Sequence, residues 1–156
     1  MKKTTKIISI FIFSILLFSC GFKITNKSKL QAYFQNINIT GEKRITYELR
    51  NNILLISNKN AKDKFNIDLK IERNKTNKIK DKAGKTTRYS LSVSAKLKIT
   101  NVDSQRVISR EITEKSEYYV AKNYSDTIKN EKSASKLITQ QLSDQILDFI
   151  ILSIGN

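Results

Sequence analysis

The residues of this chain whose types and spacing invite chemistry are lysines. Between Arg73 and Arg88 stand Lys75, Lys78, Lys80, Lys82 and Lys85, around the turn Lys82-Ala83-Gly84-Lys85. Cations gathered at one hairpin tip repel each other, and an anionic ligand relieves that repulsion. Lysine is a mobile point charge, so spaced lysines suit a diphosphorylated headgroup. For any single lysine a solvated turn in a lysine-rich chain is an adequate account; the cluster is what asks for a ligand. Catalytic groupings are missing. With no histidine and one cysteine, the common bases, zinc clusters and disulfides have nothing to be built from. Asp126, Asp144 and Asp148 lack a His or Cys partner, and the last two fit the wet side of a helix. Ser90, Ser92 and Ser94 alternate with apolar residues, as strand positions do. Four scattered glycines make no phosphate loop. A protein that is not an enzyme is expected.

Lys and Arg number 29 against 14 Asp and Glu, a formal charge of +15 over 156 residues. The balance implies an anionic partner: nucleic acid, an anionic membrane surface or a phosphorylated lipid. The N-terminus narrows that choice. A basic stretch, Met1 to Lys6, precedes an apolar run from Ile7 to Phe18 that no charge interrupts. A mature spanning helix needs about 20 residues, so the run fits a signal sequence instead. Leu17-Phe18-Ser19-Cys20 closes it, with a small residue directly before the chain's one cysteine. That pattern resembles the bacterial lipobox. It implies a signal peptide over 1–19, a diacylglycerol on the Cys20 sulfur and an acyl chain on its amine. An ordinary signal peptide, or a cysteine inside a membrane helix, is the plainer alternative; the placement of the only cysteine favours lipidation. Acyl chains contribute about 0.8 kcal/mol per buried CH₂, so several anchor firmly. Gly21 rather than Asp follows Cys20, which points to the outer membrane, facing the periplasm. Export argues against nucleic acid as the partner, and no cofactor beyond the covalent lipid is expected.

After a basic tether over 20–30, one domain over 31–156 must position these groups. Its spine is Thr86 to Thr100, where Tyr89, Leu91, Val93, Ala95, Leu97 and Ile99 alternate with polar residues. Unbroken period-2 patterning marks a strand with one dry face. Gln31 to Ile39 reads as a first strand with Tyr33, Ile37 and Ile39 on one face. Thr40 is placed to cap the helix that follows, in which Ile45, Leu49, Ile53 and Ile56 recur at helical spacing. Phe65, Ile67, Leu69 and Ile71 mark a second strand running into the basic hairpin. Asn101 to Gln105 reads as a turn. Arg106 to Val120 is a further strand whose alternation breaks at Arg110, Glu114 and Ser116, predicting a bulge or an edge. Asp126 to Ile154 is predicted helical, with Leu137, Ile138, Leu142, Ile146, Phe149 and Ile150 as its apolar stripe. The order β-α-β-β-β-α predicts an α+β two-layer sandwich: a four-stranded, mostly antiparallel sheet with both helices on one face.

Taken together, Cys20-Gly21-Phe22, the hairpin Gly84 to Tyr89, the tyrosines Tyr118, Tyr119 and Tyr124, and the helix Lys136 to Leu147 resemble the LPS-assembly lipoprotein LptE family. The resemblance spans essentially the whole mature chain in element order. It implies an outer-membrane lipoprotein that plugs and helps assemble an LptD-type β-barrel and binds lipopolysaccharide through lipid A. The family's basic contact two residues before the hairpin glycine falls on Lys82, and a second falls near Lys129. Lys80, Lys85 and Arg88 flank the first. A rival reading is a lipoprotein adaptor of another envelope complex, binding protein only. A nucleic-acid-binding module is a more distant rival, because the wet strand face lacks stacking aromatics.

Overall fold

The computed structural model describes residues 30–155; the expected signal peptide, Cys20 and the tether as far as residue 29 lie outside them. The element order is β1 (Ala32–Thr40), α1 (Lys43–Ile56), β2 (Asp63–Lys80), β3 (Thr86–Asn101), β4 (Val107–Tyr119) and α2 (Tyr124–Ile154). The strands form one sheet in the order β1-β2-β3-β4. β1 lies parallel to β2, with α1 as the crossover, and the other two pairs are antiparallel. The expected α+β architecture is the one observed.

Alternation makes the core. Ile67, Leu69 and Ile71 of β2 face Ile99, Leu97 and Ala95 of β3, all buried beneath the two helices. The other face is polar. There Asn38 donates to Asp68 at 3.3 Å, and Lys70 pairs with Glu72 at 2.8 Å. The helix layer is tied across by Asn52, which donates to the Ser143 hydroxyl at 2.8 Å.

Three local expectations change. In β1 the buried residues are Ala32 and Phe34, while Tyr33 lies on the opposite face. A register shift between Phe34 and Asn36 leaves Gln35 as an extra residue, so the inward phase switches from even to odd positions. Thr40 ends β1 and does not cap α1. Gly41, at φ +133°, turns the chain, and Glu42 takes the cap position with no side-chain cap bond. β4 is the edge that its broken alternation allowed for, with continuous register and no bulge. Its inward polar residues are met by α2 instead: the Arg110 guanidinium lies 4.9 Å from the Phe149 ring, and Gln145 donates to Glu114. Leu137 is about half exposed, and the buried stripe of α2 runs through Ala134, Ile138, Leu142, Ile146 and Ile150.

Candidate functional site: a basic hairpin above an ionic knot

The core ends at Ile71 and Leu91, yet β2 and β3 continue past it. Every residue from Glu72 to Lys85 is exposed. Asp81 builds the tip: its Oδ1 accepts the N–H groups of Ala83 and Lys85, each at 2.9 Å, and its own N–H reaches the Lys85 carbonyl at 2.9 Å. Gly84 supplies the left-handed φ of +78° that closes the turn. Lys80, Lys82 and Lys85 therefore stand together on one short turn. None of the three has an ion pair among the described residues.

The other four cations of the run, Arg73, Lys75, Lys78 and Arg88, are already satisfied. Lys78 pairs with Glu117, and Arg88 reaches the same carboxylate at 3.3 Å. The Lys78 ammonium holds the Glu117 carboxyl below its ordinary range, against a smaller effect of burial, with Arg88 assisting. Arg88 also donates to the Tyr119 hydroxyl, its guanidinium 4.2 Å from that ring. It belongs to the outer sheet face. Lys75 points the opposite way, 4.4 Å from the Tyr89 ring and 5.2 Å from that of Tyr118, which stack at 5.3 Å.

Those aromatic rings sit against a carboxylate. The Lys75 Nζ and the Tyr118 hydroxyl both donate to Glu131 Oε2, at 2.9 Å each. Arg73 bridges Glu131 and Glu42 at 3.2 Å each, joining β2 to the starts of both helices. Burial alone would raise the Glu131 carboxyl, but Lys75 and Tyr118 hold it below its ordinary value. Burial would likewise lower Lys75, and its partners Tyr118 and Glu131 raise it. Arg73 and Glu131 did not enter the expected site. Their signal was phase: Arg73 continues the inward odd positions of β2, and Glu131 precedes Ala134 and Ile138 on the buried stripe of α2.

A cleft of about 480 Å³ opens beside this knot, lined by Lys75, Lys85, Tyr89, Lys122 and Tyr124 among others. Of the expected ligand-binding residues it receives only Lys85. Lys82 remains at the tip, and Lys129 stands on the exposed side of α2, paired with Asp126 at 3.3 Å. The chemistry such a surface offers is charge pairing between its ammonium groups and an anion. Among the described residues no group of three or more acidic, His or Cys side chains could hold a metal ion.

The chain matches no protein-family model and no curated protein sequence. Its fold is shared with solved structures at low identity. Rare lipoprotein B from Shewanella oneidensis aligns over 77% of this chain and 93% of its own, at 12% identity and TM-score 0.51. A lipoprotein from Caulobacter crescentus aligns over 77% and 91%, also at 12% identity and TM-score 0.51. Lipoprotein B from Nitrosomonas europaea aligns over 81% and 88%, at 16% identity and TM-score 0.56. At these identities what the chain has in common with these lipoproteins is the β-α-β-β-β-α sandwich.

Proposed function

We propose that this protein is an outer-membrane lipoprotein, anchored through Cys20, that plugs an LptD-type β-barrel and presents its hairpin lysines to lipid A. The observation that carries the reading is the placement of the two ends. Leu30 enters the domain beside Ile56, at the end where β2 begins. The free lysines Lys80, Lys82 and Lys85 lie at the other end of that 18-residue strand. At about 3.3 Å per residue the separation is about 55–60 Å, longer than the ~40–45 Å of a bilayer with its headgroups. A domain tethered at the periplasmic leaflet thereby has the length to carry its basic tip through a barrel to the outer leaflet. Barrel lumens are polar, and the Ser/Lys/Thr face of the sheet suits such a wall. The fold it shares with solved lipoproteins agrees with this reading. The test is affinity purification of tagged full-length protein from detergent-solubilised membranes. The expected result is a stoichiometric large β-barrel protein; recovery without any barrel, under conditions that keep barrels folded, would sink the translocon assignment.

A protein-only adaptor is favoured by one observation. Arg73, Lys75, Lys78 and Arg88, more than half of the cations from Arg73 to Arg88, are spent on internal partners. In that case reversing the tip charges leaves lipid A binding unchanged.

A further inference from the structure

The end of the domain opposite the hairpin carries apolar surface that the core does not use. Leu30 donates its N–H to the Ile56 carbonyl at 3.0 Å, at the last turn of α1. The last turn of α2 reaches the same place, since a Cβ built on Gly155 would lie 4.0 Å from Leu30 Cδ2. Around this base Leu54, Leu55 and Leu152 are 50%, 71% and 68% exposed. They stand on the outer flanks of the two helices, while Ile53, Ile56 and Ile150 in the same turns are fully buried. The loop leaving α1 adds Lys59 and Lys62, both exposed and without an ion pair among the described residues. Exposed leucines beside lysines are the composition of a surface that lies in the headgroup region of an anionic leaflet.

The sequence says which surface is near. Cys20 precedes Leu30 by ten residues, and at 3.3–3.6 Å per residue that length reaches at most about 35 Å. Lys23, Lys27 and Lys29 fall within it. A lipid on Cys20 therefore keeps the leucine-bearing base close to the bilayer, whereas the hairpin tip is about 55–60 Å farther along the strands. Held at that effective concentration, even a weak contact is populated. We propose that the base is a membrane-contact surface. Leu54, Leu55 and Leu152 enter the headgroup region of the leaflet that holds the Cys20 lipid, with Lys59 and Lys62 on its phosphates. Where no barrel encloses it, the domain then stands on that leaflet with its hairpin directed away. This rests on the lipid anchor of the preceding reading, and on neither the barrel nor lipopolysaccharide.

The test uses full-length lipidated protein in vesicles of phosphatidylethanolamine and phosphatidylglycerol, without any barrel. Leu55→Cys, Leu152→Cys and Lys82→Cys, each at an exposed position, carry a bimane label in separate preparations, the Cys20 thiol being taken by lipid. Doxyl-labelled phospholipid is the quencher. Quenching several-fold stronger at 55 and 152 than at 82 is the expected result. Equal, weak quenching at all three positions in protein that floats with the vesicles overturns the contact and leaves the anchor standing. Protein that fails to float overturns the anchor and the contact together.

Discussion

Glu131 shows how one acid governs the boundary between core and hairpin. It is partly buried and satisfies two cations and a phenol at once. Glu131→Gln leaves Lys75 short of a counter-charge beside Tyr89 and Tyr118, and Arg73 with Glu42 alone. Removing one partner of a partly buried polar group costs about 1–3 kcal/mol, so the urea midpoint of this variant is expected to fall accordingly. The pH dependence has a definite sign. The Glu131 carboxyl titrates below its ordinary 4.5 when folded, so its contribution is present above that value and is lost as pH falls through the folded pKa. Lys75 is raised above 10.5, so its contribution is present below that value and is lost as pH rises through the folded pKa. The knot is therefore strongest between about pH 4.5 and 10.5. In Glu131→Gln the acid limb of a stability-against-pH curve flattens; an acid limb as steep as in the parent protein would show that the knot does not control acid unfolding.

At the scale of elements, the joint between β1 and α1 is the least forgiving. A Cβ on Gly41 would lie 2.4 Å from the Ile71 carbonyl oxygen of β2, at a φ of +133°. Backbone held in such a region costs about 1–3 kcal/mol for a residue with a side chain, before the overlap is counted. Gly41→Ala is therefore expected to lower the melting temperature well beyond Gly84→Ala. At Gly84 a Cβ meets nothing within 4 Å, and only the left-handed strain of about 1–2 kcal/mol applies. Equal losses in the two variants would contradict the close approach at Ile71. The same joint marks the limit of what the chain makes legible. The alternation of β3 and the helical spacing of Ile45, Leu49 and Ile53 could be read directly, because periodicity and burial have one cause. Tyr33 could not be placed, since one extra residue at Gln35 reverses the phase within a nine-residue strand. Thr40 had the right type for a cap and the wrong position, because the turn needed Gly41 first. The lysines of the hairpin were evident, but not which were free. Glu117 and Glu131 neutralise Lys78, Arg88 and Lys75 from positions 39, 29 and 56 residues away, and separations of that kind leave no local pattern.

For the whole molecule, the useful charge is the charge left over after internal pairing. Lys80, Lys82 and Lys85 are crowded on one exposed turn, clear of the folded core. Lys129 is offset by Asp126 a turn away. Attraction to an anionic lipid surface is worth about 1 kcal/mol per lysine held against it, so three lysines amount to about a hundredfold in affinity. Changing all three to glutamate is expected to weaken binding to lipid A-containing vesicles by at least that factor, with thermal stability within about 0.5 kcal/mol of the parent, as exposed substitutions generally leave it. Lys129→Glu, starting from a charge already partly cancelled, is expected to cost less than tenfold. Raising the salt should shrink the first effect, because the Debye length is about 8 Å at physiological ionic strength and about 3 Å at 1 M. A triple variant that keeps its lipid A affinity would assign the hairpin to a protein partner, with the tether and the polar sheet face still to be matched to that partner's wall.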